Sequence, residues 1–178
     1  MIRYKKIITW FLITLLISQE IFRIPYSLSS AEALEVENHE NIVSLVVEEN
    51  LFSKIQNDIQ KYALRVQSVL PRTRTVILTF PADTHPVLIA SANERLYYSG
   101  LPNHGNKTQK LVGTILIGDI PLPVVHKNAQ SFLSVFPYID FDEPSFVWNW
   151  DKKIYEYLNV ERKNTKPELW HSVIAPHS

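Results

Sequence analysis

Residues 111–117, LVGTILI, form an apolar run without polar alternation. A strand with no polar face is covered on both sides, as in the middle of a parallel sheet. A buried helix segment would also be apolar all round. The β-branched residues, a run of about seven, and Pro121 and Pro123 just after it favour the strand. Gly118 and Asp119 follow, so Asp119 sits where the strand ends. In open α/β sheets ligands bind at that edge. Asp119 is therefore a candidate ligand contact. Its other reading is a turn residue, with a carboxylate that accepts backbone N–H groups and holds residues 120–123.

The chain before this run alternates strands with helices. Residues 42–47, IVSLVV, read as a first strand. Glu48, Glu49 and Asn50 suit a helix start, with Asn50 as the cap. Over residues 51–70, Leu51, Ile55, Ile59, Tyr62, Val66 and Val69 trace one helical face, and Pro71 ends it. Residues 75–80, TVILTF, read as a second strand. Asp83 or Thr84 can cap a second helix over 86–99, with Pro86 in its first turn and Gly100 at its end. Leu88, Ile89, Ala92, Leu96 and Tyr97 form its expected buried stripe. This order predicts an α/β fold with a three-layer, parallel-sheet core.

After Val125 the character changes. Nine aromatic residues lie between Phe132 and Tyr157. Phe146, Trp148 and Trp150 alternate with other residues, as do Tyr155 and Tyr157, and residues 151–153 form a turn between them. The pattern predicts an aromatic β-hairpin at 145–158, appended to the core. Trp148 and Trp150 are candidate ligand contacts for a sugar or peptide; the favoured reading is packing over the sheet edge. Asp140, Asp142 and Glu143 offer oxygen ligands at near-alternate positions. The Gly and distal Glu of a calcium loop are missing, so a solvated acidic turn before Pro144 is favoured over a cation site. Asp140 remains a candidate ligand contact. His171 is read as structural, and the other histidines lack zinc spacing.

The chain of 178 residues carries 18 basic and 18 acidic side chains and no cysteine. No disulfide framework and no thiolate site is possible within it. Its basic groups are too small to argue for nucleic acid. No GxSxG, GxxxxGK[ST] or GxGxxG pattern occurs, and no cofactor or metal is expected. Asn106, Lys107 and Thr108 match a glycosylation acceptor.

Residues 1–33 read as a signal peptide. Arg3, Lys5 and Lys6 precede an apolar core over 7–18, and Ala31-Glu32-Ala33 offers a cleavage site. That core is shorter than the roughly 20 residues needed to span a bilayer. Residues 34–41 form a polar lead-in to a domain over 42–178. The expected location is secreted or cell envelope, with membrane contact only through an uncleaved signal segment.

The strand ending in Ile115-Leu116-Ile117-Gly118-Asp119 resembles the hydrophobic strand and Gly-Asp of gingipain-type cysteine peptidases, which have a caspase-like α/β fold. Pro167-Glu168-Leu169-Trp170-His171-Ser172-Val173-Ile174 is similar to a later segment of that family, and Phe136-Pro137-Tyr138-Ile139-Asp140-Phe141 lies between them. The resemblance implies a caspase- or flavodoxin-like core. It also implies a catalytic His and Cys C-terminal to residue 174. This chain has no Cys, and the thiolate is the nucleophile of such chemistry. The expectation is a non-catalytic N-terminal portion of an exported peptidase-type protein. Its partner would be the missing C-terminal catalytic half or a separate protein. The alternative is an exported binding module that uses the aromatic hairpin.

Overall fold

The computed structural model describes residues 41–101, 109–142, 145–158 and 167–175. The expected signal peptide, the glycosylation pattern at 106–108 and Glu143 lie outside the described residues. Among the described residues no helix is long and apolar enough to cross a membrane.

The fold is α/β. Its first sheet is built from β1 (Asn41–Glu48), β2 (Thr73–Phe80), β3 (Lys110–Ile117) and β8 (Trp170–Ile174), in the order β2-β1-β3-β8 and all parallel. Helix α1 (Glu49–Val69) connects β1 to β2, and α2 (Pro86–Ser99) connects β2 to β3. The period of two along β1 divides its side chains between two cores. Val43, Leu45 and Val47 pack with Ile59 and Ala63 of α1 on one face. Ile42 and Val46 pack with Ile89 and Leu96 of α2 on the other. The sheet therefore carries one helix on each side, which is why β1 and β3 read as unbroken apolar runs.

One extra residue interrupts β3. Ile42 pairs with Leu111, but Val43 pairs with Gly113. This bulge shifts the alternation by one, so Leu111 shares a face with Leu116 while Ile115 and Ile117 point the other way.

Helix α1 starts two residues earlier than the sequence signals predict, whereas α2 spans the predicted residues from a later cap; each begins on a side chain of the strand or loop before it. Glu48, not Asn50, caps α1. Its Oε1 accepts from the Asn50 N–H and its Oε2 from the Leu51 N–H, each at 2.8 Å. His85, not Asp83 or Thr84, caps α2, its Nδ1 accepting from the Val87 N–H at 3.3 Å. The stripe of α1 also differs. Ile55 has non-helical angles (φ −127, ψ 31), and Ile55, Tyr62 and Val69 are exposed. The kink changes the helical phase, and Ala63 faces the sheet because its small side chain lets the helix lie close to β2. Gln67 Nε2 donates to Thr75 Oγ1 across that contact at 2.6 Å.

The expected appended hairpin instead enters a second four-stranded sheet. β6 (Phe146–Asn149) and β7 (Ile154–Tyr157) pair antiparallel, and β7 runs parallel to β4 (Val124–Lys127), which pairs antiparallel with β5 (Gln130–Leu133). The order is β5-β4-β7-β6. Sequence reading missed β4 and β5. Each has only four residues, β4 follows two prolines, and β5 is exposed throughout. Asn128 and Ala129, both at positive φ (51 and 62), turn the chain between them, as two-residue hairpin loops require.

Candidate functional site

The carboxyl ends of β1 and β3 form the edge where the sheet order reverses, the usual ligand crevice of such sheets. Here it is filled by the chain itself. The Glu48 carboxylate already occupies the N-terminus of α1, the position an anionic ligand would take. Gly118 has φ +90, and a Cβ there would lie 2.9 Å from Glu48 Cβ and 3.0 Å from Leu51 Cδ2. Gly118 thus lets the end of β3 pass against Glu48, and its N–H donates to Ile174 O at 3.0 Å. Asp119 follows with its side chain exposed. Ile120 after it is buried.

A cleft of about 200 Å³ lies elsewhere, between α2 and the second sheet. Val87, Ala90, Ser91 and Glu94 line it from the helix. Their spacing, 87, 90, 91 and 94, is one helical stripe beside the buried Ile89, Asn93 and Leu96. Pro137, Asp140 and Phe141 line it from the segment before β6, and Phe146, Val147, Trp148 and Tyr155 line it from the strands. This brings together two of the four candidate residues, Asp140 and Trp148. Asp119 does not line the cleft. Trp150 meets Trp148 edge to face at 6.1 Å but is itself 75% exposed.

The cleft walls are held rigidly. Asp140 is 4% exposed. Its backbone N–H donates to Phe136 O at 3.1 Å, just after the Ile139 N–H closes a short 3-10 turn over Phe136–Tyr138 onto the same carbonyl at 3.0 Å, and its Oδ2 accepts from the Ser145 N–H at 2.7 Å. Asp140 therefore turns inward, while Asp142 accepts from the Tyr97 hydroxyl at 2.7 Å. Among the described residues no group of three His, Asp or Glu is placed to hold a metal ion.

Trp148 and Tyr155 are cross-strand partners with ring centroids 5.1 Å apart. The rings of the capping His85 and Trp148 meet edge to face at 4.7 Å and 86°. Phe146 and Tyr157 pair the same way at 5.6 Å. The Trp148 indole N–H is buried and has no hydrogen-bond partner among the described residues. Burial, reinforced by the charge of Glu94, pushes the Tyr155 hydroxyl well above its usual range. Burial does the same for Tyr138, whose hydroxyl donates to Pro121 O. Both phenols stay protonated at any physiological pH and do not serve as bases.

Sequence reading missed Ser91 and Glu94. The signal was present as the 87-90-91-94 stripe, but nothing in the sequence said which face of the helix the later strands would cover. No protein-family model, curated protein or solved structure matches the chain.

Proposed function

We propose that the chain is a non-catalytic scaffold, the N-terminal portion of an exported, gingipain-like peptidase-type protein with a caspase- or flavodoxin-like core. Its role is to receive a further polypeptide along β8. The observation that carries this reading is the state of that strand. All five residues of β8 are exposed, with Trp170, Val173 and Ile174 at 43, 46 and 43%. Alternation puts Trp170 and Ile174 on one face and Val173 on the other. Parallel strands are normally covered on both faces, and an open apolar edge is a template for another strand. The order β2-β1-β3-β8 is the one in which flavodoxin-type sheets begin, with further strands added beyond the fourth. The absence of cysteine from the sequence leaves any thiolate to the partner.

Export follows from residues 1–33, and the mature product is expected to begin at Leu34 by N-terminal sequencing. Co-expression with the neighbouring polypeptide that carries the His and Cys is expected to give one complex by gel filtration. Val173→Lys is expected to break it with the circular dichroism unchanged. A complex indifferent to Val173→Lys and Ile174→Lys, or no complex at all, overturns the reading.

A second reading is favoured by the cleft. Its aromatic wall and its two carboxylates suit an exported binding module acting through the aromatic hairpin.

A further inference from the structure

We propose that the cleft between α2 and the second sheet is a binding site for a small organic ammonium ion. The inference rests on the binding-module reading, not on the scaffold one.

The lining has two kinds of surface. Phe141, Phe146, Trp148 and Tyr155 supply aromatic rings, and Glu94 and Asp140 supply two carboxylates. Among the described residues no basic side chain lines the cleft. Aromatic faces carry the negative end of a quadrupole, so a cation gains from the rings and from the carboxylates alike. An anion is repelled by both. A neutral sugar gains from the rings but makes no use of the charges.

Size narrows the class further. A volume of about 200 Å³ is below the roughly 300–1,000 Å³ of drug-sized sites. It admits an ion of a few heavy atoms. An organic ammonium sheds its hydration more readily than a metal ion does, and no three-ligand cluster for a metal is present among the described residues.

The two charges differ in mobility. Asp140 is buried and fixed by the Ser145 N–H. Glu94 is exposed at the rim, free to fold over a bound ion. Trp148 makes ring contacts with both His85 and Tyr155, so the principal ring is preorganised, which lowers the ordering cost of binding.

The test is calorimetric titration of the full chain with tetramethylammonium chloride, against sodium chloride at equal ionic strength, with tryptophan fluorescence followed in parallel. Saturable binding is expected, with Kd on the order of 1 mM for so small an ion. Glu94→Gln, at an exposed position, is expected to weaken it by roughly three- to tenfold. Trp148→Leu abolishes it, and Trp148→Phe, which keeps a ring, retains part of it. Asp58→Asn, on the exposed face of α1, leaves it unchanged.

Choline chloride and phosphatidylcholine vesicles separate the two sources of this chemistry. Saturation by choline assigns a soluble ammonium compound, and sedimentation with vesicles without a response to choline assigns a lipid headgroup. No saturation by any of these ammonium probes overturns the inference, as does equal weakening by Asp58→Asn and Glu94→Gln. Binding of a neutral sugar such as maltose with no response to ammonium overturns it while keeping the binding module. Silence from both ligand classes overturns the two together.

Discussion

Gly113 is where β3 makes room for its neighbour. A Cβ built on it would lie 2.2 Å from Trp170 Cε2, and the two residues are register partners. The indole therefore lies against bare backbone, a contact only glycine permits. Gly113→Ala is expected to destabilise the fold by about 1–3 kcal/mol through overpacking. In a Trp170→Ala background the same change is expected to cost less than about 0.5 kcal/mol. Urea denaturation of the four chains checks this. Additive losses would show that the indole is not what Gly113 accommodates. The sequence offered Gly113 as a residue of an apolar strand and gave no sign of Trp170 beside it, because the two are brought together only by the parallel pairing of β3 with β8.

The β6–β7 pair is the element most legible from its own residues. The alternation of Phe146 and Trp148, and of Tyr155 and Tyr157, reflects the pleat, and the turn is organised locally. Asn149 Oδ1 accepts from the N–H groups of Asp151 and Lys152, each at 3.0 Å. Lys152 Nζ lies 2.6 Å from Glu156 Oε1, and Asn149 Nδ2 donates to Glu156 Oε2 at 2.8 Å. The Lys152 bond, followed by that from Asn149, holds the Glu156 carboxyl below its ordinary value of 4.5. A carboxyl lowered by folding adds stability above its unfolded pKa, and that contribution fades as pH falls through the folded value. The group is solvent-accessible, so the effect is small. Lys152→Ala is expected to move the Glu156 titration, followed by NMR, up toward 4.5. An unmoved titration would mean that the ammonium is not its cause. What the pair's own residues could not reveal is its neighbours. β4 reaches β7 through long-range parallel pairing, at Val125 with Tyr155 and His126 with Glu156.

The molecule is tied across its layers by a polar knot inside an apolar core. Ser44 of β1, Thr114 of β3 and Asn93 of α2 are each fully buried. Ser44 Oγ lies 2.9 Å from Asn93 Oδ1 and 2.8 Å from Thr114 Oγ1. Asn93 Nδ2 donates to Thr114 Oγ1 and to Tyr138 O, each at 3.2 Å. If Ser44 donates to the amide oxygen and Thr114 donates to Ser44, every hydroxyl proton is used once. One side chain of α2 thus holds two strands and the 3-10 turn that presents Asp140 to the cleft. Asn93→Leu leaves Ser44 and Thr114 bonded only to each other and the Tyr138 carbonyl without its amide donor, and is expected to cost about 2–4 kcal/mol, with a lowered midpoint in thermal unfolding. A loss under about 0.5 kcal/mol would show the knot to be dispensable.

Sequence alone determined the alternation of strand and helix, the parallel core and the aromatic character of the later strands. Each of these is written in local periodicity, which acts over a few residues. Asp140 and Trp148, both singled out from type and position, line one cleft. Tertiary structure decided the rest. It set which face of α1 is buried, which side chain caps each helix, that β4 and β5 complete a second sheet, and that Ser91 and Glu94 meet the aromatic strands at one cleft. Those outcomes depend on contacts between residues tens of positions apart, and no local pattern specifies which distant surface a stripe will meet.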